Sequence, residues 1–241
     1  MKKITLLALS SIFIFSCSQS DIQGQKEKPI VEYVWHNAGP DFNSENLAKL
    51  INEWNVVITE SGMDMLGANI ITPSQSNDGF DFIWVMRWPS MSARNAGWDW
   101  WNSSGAQENW VESINGIMSY SIENVFPFEV TEIAQPRIEN NSGSFLNRFH
   151  FCNYKDNSDS TSLKKFKNAV DSTIWSDTYW NVLLSPMFDA DTRSDFIWLD
   201  LWADQSDKDT ALGKFMDSEY ADMYVDSFTC NTADFSGVVI R

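Results

Sequence analysis

The sequence predicts an α+β protein built from two tandem copies of one unit with the element order βαββαβ. The segment at 81–88, DFIWVMRW, matches the segment at 195–202, DFIWLDLW, at five of eight positions. Further matches flank both segments in the same order, at a nearly constant spacing of 114 to 116 residues. Self-similarity at a fixed spacing indicates a duplicated structural unit. We therefore divide the mature chain into units at 30–134 and 144–241, joined by a polar linker at 135–143.

The elements of the first unit follow from its hydrophobic periods. An apolar stripe from Leu47 to Ile58 repeats every three or four residues and predicts a helix that Asn43 or Ser44 caps. The segment at 103–105, Ser-Ser-Gly, is expected to break the second helical region. In order, we predict a strand at 31–36, this helix, a strand at 68–73 that ends at a proline, the strand at 81–88, a helical region at 91–118 and a strand at 123–130.

The second unit shows the same order. Its first helix is expected to be capped within Ser160–Ser162, and its second strand also ends at a proline, Pro186. We predict strands at 146–152, 181–186, 195–202 and 233–240, and a second helical region at 205–228. Each unit thus supplies four strands and two helical regions.

The order βαββαβ is that of a ferredoxin-like unit, an antiparallel sheet with both helices on one face. Two such units in one chain resemble the dimeric α/β barrel superfamily, in which two ferredoxin-like sheets pack around a central space. The resemblance covers nearly all of the mature chain. It implies a fused pseudo-dimeric barrel in which the tandem repeat replaces homodimerisation. It also implies a choice of activities: cofactor-independent monooxygenases, haem enzymes such as chlorite dismutases and dye-decolorising peroxidases, isomerases of small aromatic compounds, and sensors.

The N-terminal segment at 1–16 is typical of a bacterial signal peptide, because a short basic start precedes an apolar run at 4–15 that is too short to span a membrane. The Ser-Cys pair ending at Cys17 resembles a lipobox, in which the cysteine becomes the lipidated N-terminus; an ordinary secretory signal is the alternative. Ser18 then favours the outer membrane, and 17–29 predicts a flexible tether. We expect an exported, lipid-anchored protein on the periplasmic side of the envelope that contacts the membrane only through this anchor.

The charge of the chain excludes some partners. The net charge of −16 deepens to −18 in the mature protein, because the leader carries two lysines and no acidic residue. So acidic a protein is not expected to bind nucleic acid. The sequence contains no phosphate-binding loop, no glycine-rich dinucleotide motif and no Gly-x-Ser-x-Gly turn.

Successive side chains of a strand point to opposite sides, so the residues of the central strands divide into two faces. We expect the aromatic face of the first strands to pack under the helices; it carries Tyr33, Trp35, Phe149 and Phe151. The opposite face holds polar residues, which are costly to bury unless they are paired or wet, so we place it toward a cavity between the two sheets. The predicted ligand-binding residues there are Glu32, Trp84, Trp88, Arg148, Trp198, Asp200 and Trp202. The alternative is a filled core in which Glu32 and Arg148 form a salt bridge.

Both histidines fall on this polar face. His36 and His150 are the candidate catalytic residues, each as a lone general base. The alternatives are a hydrogen-bonded interior histidine and a single axial haem ligand. No close-spaced His/Cys motif is present, so no metal site is expected. We expect no cofactor, with haem as the alternative.

Two further cysteines leave two possibilities open, a disulfide between them or two free thiols. Cys152 ends the first strand of the second unit, and Cys230 precedes its last strand, and these strands are neighbours in a ferredoxin-like sheet. In an exported protein the two thiols can oxidise to a disulfide.

The sequence thus predicts an exported lipoprotein that binds a small apolar or aromatic ligand in a cavity between its two sheets. One alternative is a monooxygenase-like or haem-dependent enzyme of the same fold. The other is a structural envelope protein with no site.

Overall fold

The structure, a computed structural model, describes residues 27–189 and 194–241. The predicted leader, the predicted lipidation at Cys17 and most of the predicted tether lie outside these residues. Within the described ranges, none of the helices combines the length and the apolar character needed to cross a bilayer.

The chain folds as βαββαβ twice, with the second helical region of each unit divided in two. The eight strands are β1 (Ile30–Ala38), β2 (Gly67–Pro73), β3 (Phe82–Trp88), β4 (Met118–Ala134), β5 (Ser144–Tyr154), β6 (Trp180–Pro186), β7 (Phe196–Trp202) and β8 (Phe228–Val239). The six helices are α1 (Ser44–Ser61), α2 (Met91–Ser103), α3 (Ala106–Ile114), α4 (Ser160–Asp171), α5 (Gln205–Met216) and α6 (Glu219–Ser227).

The strands form one closed antiparallel barrel in the order β1-β3-β2-β8-β5-β7-β6-β4. Each unit contributes a four-stranded sheet with its first and third strands at the centre. The pairs β2–β8 and β4–β6 join the edges of the two sheets. Because the barrel is closed, each edge strand of one unit's sheet pairs with an edge strand of the other unit's sheet. The predicted fold class is confirmed.

The helix termini follow the local sequence. The Asn43 side chain accepts a hydrogen bond from the Asn46 backbone N–H and caps α1, as predicted. The predicted cap of α4 is wrong, because Asp159 rather than a serine accepts the backbone N–H groups of Thr161 and Ser162. The carboxylate is favoured there because it meets the positive end of the helix dipole. The predicted break falls at Gly105, which has a φ of 83° and separates α2 from α3.

The aromatic strand face that we predicted to pack under the helices turns into the interior of the barrel instead. Tyr33 packs edge-to-face against both Phe128 and Phe149, at ring-centroid distances of 5.6 and 5.5 Å. This cluster draws on both units and fills the space between the sheets: Val31, Tyr33, Ile71, Ile83, Val85, Phe128, Phe149, Val182, Leu184, Ile197, Leu199 and Phe235. Trp35 packs at its edge, and Phe151 is 38% exposed. The predicted assignment of the two strand faces is therefore wrong.

The opposite face of these strands lies under the helices of its own unit. Trp84 and Trp88 belong to a core with α1, α2 and α3, and Trp198 and Trp202 belong to a separate core with α4, α5 and α6. Period two separates the two faces of a strand but does not say which one turns inward. The buried polar groups misled the prediction because their partners lie within the same unit, on its helices or neighbouring strands, and not across the space between the sheets.

Cys152 and Cys230 form a disulfide between directly opposed residues of β5 and β8. Cys152 is completely buried. The bond therefore removes this cysteine from any other chemistry.

Candidate functional site

A cavity lies in the first unit, between the sheet and the layer formed by α1, α2 and α3. The centres of water-sized spheres can occupy about 50 Å³ of it, within a region of about 520 Å³ that includes open solvent. Its walls are almost entirely apolar or aromatic: Val34, His36, Trp54, Ile58, Met63, Met65, Trp84, Met86, Trp88, Gly97, Trp98, Trp101, Trp110 and Tyr120. Small-molecule pockets commonly combine such walls with a few polar groups.

Tryptophans from the sheet and from all three helices meet at this cavity. Trp54 of α1 packs edge-to-face on Trp84 of β3 at 5.2 Å, and Trp84 packs on Trp110 of α3 at 6.0 Å. Trp110 in turn contacts Trp101 of α2 at 6.2 Å. Edge-to-face aromatic pairs are favourable and rigid, so these rings give the cavity a fixed wall.

Gly97 lets α2 approach the sheet closely. A Cβ at this position would lie 2.7 Å from the Trp88 ring. Real carbon atoms do not approach so closely, and any side chain here would push α2 away from β3. The glycine therefore sets the depth of the cavity under α2.

His36 brings an imidazole to the cavity wall, and Trp88 brings a buried indole N–H that has no partner among the described residues. His36 is 4% exposed, and its Nδ1 lies 2.9 Å from the carbonyl oxygen of Val34. Burial lowers the pKa of His36 to about 4, which the hydrogen bond to Val34 partly offsets. The imidazole is therefore neutral at neutral pH. Its ring stacks on Phe82 at 5.2 Å and lies 5.4 Å from the ring of Tyr120, which is the residue opposite it on β4.

Glu32 holds the α2 wall of the cavity in place. Its carboxylate is completely buried and pairs with Arg94, whose Nε donates at 2.6 Å. The indole N–H of Trp98, which lines the cavity, donates to the other oxygen at 2.9 Å. Both partners come from α2, so this buried carboxylate ties the helix to β1. The predicted alternative of a Glu32–Arg148 salt bridge is wrong.

The second unit has a buried polar cluster on the helix side of its sheet. Asp200 takes the position that Met86 has in the first unit. Its Oδ1 accepts hydrogen bonds from Tyr179, Asn181 and Trp198 at 2.6, 2.7 and 2.9 Å. Its Oδ2 lies 3.0 Å from His150 Nε2. Burial opposes ionisation, but these hydrogen bonds and His150 leave the pKa of Asp200 below its usual value.

The partners of His150 occupy both of its ring nitrogens. The Asp200 carboxylate only accepts, so Nε2 carries the proton in the neutral ring, and Nδ1 accepts from the Tyr224 hydroxyl at 3.0 Å. Burial and the Asp200 charge raise the pKa of Tyr224 to about 12, which keeps this hydroxyl a donor. His150 is thus a bridge between two fixed groups rather than a free base.

Arg148 makes a two-pronged ion pair with Asp234 of β8, with both distances at 2.9 Å. Lys208 of α5 donates to the same carboxylate at 2.8 Å and lies over the Trp202 ring at 5.3 Å. Lys208 is the counterpart of Arg94. Both units therefore tie a strand of the sheet to the second helical region, through different ion pairs.

The predicted site residues separate into two groups instead of meeting between the sheets. Three of them, His36, Trp84 and Trp88, line the cavity of the first unit, and Glu32 lies behind Trp98. The others belong to the polar and aromatic packing of the second unit: Arg148, His150, Trp198, Asp200 and Trp202. The predicted cavity between the sheets is wrong, because aromatic and aliphatic side chains fill that space. Whether any of these residues binds a ligand remains a prediction.

The cavity residues that the sequence prediction missed come mainly from helices. Trp98, Trp101 and Trp110 belong to α2 and α3, whose other residues are largely polar. The available signal was the four tryptophans of α2 and α3, because rings so large in short polar helices must pack against another part of the molecule.

Haem fits the described residues poorly. A haem requires an axial ligand and polar or cationic partners for its two propionates. His36 could supply the ligand, but the residues lining the cavity include no lysine or arginine. In the second unit both nitrogens of His150 are engaged. Across 27–189 and 194–241, no group of three or more His, Cys, Asp or Glu residues is placed to hold a metal ion.

The buried His36 predicts a specific pH dependence of stability. Its pKa is about 4 in the folded chain and 6.5 when exposed, so between these values the unfolded chain binds a proton that the folded chain excludes. Stability from the neutral ring is complete above pH 6.5 and is lost as the pH falls toward 4. The loss is about 3 kcal/mol. Urea unfolding of the wild type and of His36→Phe at several pH values measures it; an unchanged difference between pH 7 and pH 4 would contradict the burial effect.

Comparison with known proteins shows the fold. No known family profile matches the chain, and no curated protein sequence matches it. Among solved structures, a candidate monooxygenase from Fusobacterium nucleatum subsp. nucleatum is similar, with a TM-score of 0.60 and 14% identity over 90% of this chain and 94% of its own. A candidate monooxygenase from Lactobacillus acidophilus has a TM-score of 0.51 and 14% identity over 89% of this chain and 95% of its own.

A variant of chlorite dismutase from Candidatus Nitrospira defluvii is also similar, with a TM-score of 0.51 and 9% identity over 90% of this chain and 93% of its own. The match to these proteins therefore extends over about nine tenths of the chain. At such identities the likeness establishes a shared fold, the dimeric α/β barrel, and leaves the activity to the site.

Proposed function

We propose that this protein binds a small, neutral, apolar or aromatic ligand in the cavity of its first unit. We further propose that it is an exported lipoprotein, anchored at Cys17 on the periplasmic side of the outer membrane. The observation that carries the binding proposal is the cavity itself, an opening of about 50 Å³ to water-sized spheres that is walled by six tryptophans and three methionines. Apolar rings around such an opening lose packing contacts, which a bound apolar molecule would restore.

The lining also indicates the charge of the ligand. The residues lining the cavity include no Lys, Arg, Asp or Glu. A charged ligand would lose its hydration without gaining a counter-ion, which is costly. An apolar or aromatic molecule loses little and gains contact with the indole rings.

Binding is a better role for His36 than base catalysis. A general base works best when its pKa lies near the operating pH. The pKa of His36 is about 4, because the buried site disfavours the imidazolium that proton abstraction would create. The same burial leaves a hydrogen-bonding ring in an apolar cavity, which suits recognition.

A blocking substitution tests the location of the ligand. Met65 lines the cavity and lies in the segment between α1 and β2, whereas its neighbour Leu66 is 54% exposed. We expect Met65→Trp to weaken binding of the neutral fluorescent probe N-phenyl-1-naphthylamine at least tenfold, because the indole fills part of the cavity. Energy transfer from tryptophan to the probe measures the affinity, on full-length protein carrying Cys17→Ser so that no lipid competes for the probe.

Leu66→Trp is the matched control, since it adds the same indole one residue away on the surface. It should change the affinity less than twofold. Equal effects of the two substitutions, or no effect of Met65→Trp, would show that the probe binds elsewhere and would overturn the proposed site.

A further inference from the structure

The hydrogen bond to Val34 fixes which nitrogen of His36 carries the proton. A backbone carbonyl only accepts hydrogen bonds, so Nδ1 must be the donor in the 2.9 Å contact. The ring is neutral at neutral pH, so Nε2 is left without a proton. Nε2 is therefore fixed as a hydrogen-bond acceptor, and the alternative tautomer would set a lone pair against the carbonyl oxygen.

Nε2 has no hydrogen-bond partner within the described residues. Phe82 and Tyr120 flank the ring, and Nδ1 is turned to the backbone of β1, so the edge that carries Nε2 is the part of His36 available to the cavity. The residue is only 4% exposed, so Nε2 has little contact with water and would gain from a hydrogen bond that a bound molecule donates. The cavity thus contains an acceptor that a bound molecule can satisfy.

The second unit has no histidine at the position that corresponds to His36. His36 and Tyr120 are directly opposed on β1 and β4, and the corresponding opposed pair on β5 and β8 is the disulfide Cys152–Cys230. The duplicated unit therefore reaches a stable core with a crosslink at this place. The histidine is not required by the fold.

We infer that the ligand of the cavity carries a hydroxyl or N–H group that donates a hydrogen bond to His36 Nε2, and that the site discriminates against molecules of the same shape without a donor. This inference rests on the proposed function and adds its selectivity. Sites built to hydrogen bond with a ligand reject analogues that lack the group, because the protein atom is then left buried and unpaired.

Two probes of nearly equal shape test the inference on the wild-type protein. 2-Naphthol carries a hydroxyl where 2-methylnaphthalene carries a methyl group. We expect 2-naphthol to bind at least tenfold more tightly, although the methyl compound is the more hydrophobic and would be favoured by burial alone. Competition against N-phenyl-1-naphthylamine at pH 7 measures both affinities in the Cys17→Ser protein.

His36→Phe is the matched variant, because it keeps a flat ring and removes the acceptor. The preference for 2-naphthol should fall below twofold, while the affinity for 2-methylnaphthalene should change less than threefold. If the variant does not fold, as judged by circular dichroism, equal binding of the two probes to the wild type would still overturn the inference, and His36→Leu replaces His36→Phe as the variant without the acceptor.

The failures of the two proposals are distinguishable. Equal binding of the two probes to the wild type, with both weakened by Met65→Trp, would overturn the role of His36 and leave the binding site intact. A preference for 2-naphthol that survives in His36→Phe would place the hydrogen bond elsewhere and also overturn the inference. Binding of neither probe would count against the proposed function itself.

Discussion

Replacing Asp200 with alanine is expected to lower the free energy of unfolding by about 4 kcal/mol, which is a large part of the stability of an ordinary domain. The carboxylate is buried and faces four donors: Tyr179, Asn181, Trp198 and His150. Alanine would remove the acceptor for all of them at once. Each buried donor left unpaired then adds to the loss. Urea unfolding followed by tryptophan fluorescence measures the difference.

Two variants make the Asp200 result specific. Asp200→Asn should lose only about 1–2 kcal/mol, because its amide oxygen can keep three donors while His150 changes tautomer to accept from the amide nitrogen. Glu129→Ala breaks the exposed Lys28–Glu129 ion pair and should cost less than about 1 kcal/mol. A loss of less than 1 kcal/mol in Asp200→Ala would show that the cluster does not stabilise the second unit.

The second large effect is expected from the disulfide. Replacing both Cys152 and Cys230 with alanine should lower the free energy of unfolding by about 4 kcal/mol, since the bond joins residues 78 positions apart and so restricts a long loop of the unfolded chain. It also links β5 to β8, which in turn pairs with β2 of the first unit. Urea unfolding under non-reducing conditions compares the variant with the wild type.

A reducing agent provides the control for the disulfide. Dithiothreitol should destabilise the wild type once unfolding exposes the bond, and it should leave the double-alanine variant unchanged. If the variant unfolds within 1 kcal/mol of the oxidised wild type, the crosslink would not contribute through the unfolded chain.

The duplicated architecture was predictable because it rests on local signals. The repeated DFIW segment gave two units, and the apolar stripe from Leu47 to Ile58 gave a helix that the structure places at Ser44–Ser61. Strand ends were less well predicted: β4 begins at Met118, five residues before the predicted start, because pairing with β1 extends it, and pairing with β6 carries its other end to Ala134.

The site was only partly predictable. His36 of β1 and the pair Trp84 and Trp88 of β3 were correctly predicted to share one side of the sheet, because side chains alternate between the two sides of any strand. Trp98 and Trp110 were missed, because the contact of α2 and α3 with β3 depends on how helices cross the sheet rather than on a period. Gly97 has its role only in relation to Trp88, nine residues earlier in the chain.

The duplication, the order of strands and helices, and the two faces of each strand follow from periods and propensities within short segments, so they can be predicted from the amino-acid sequence. Which face turns into the barrel and which lies under the helices is set by tertiary packing. That choice depends on partners distant in sequence, as with Glu32 and Arg94, or Asp200 and Tyr179. A buried polar residue on a strand indicates that it has a hydrogen-bonding partner. The three-dimensional structure is needed to show whether that partner lies on a helix, on another strand or in a bound ligand.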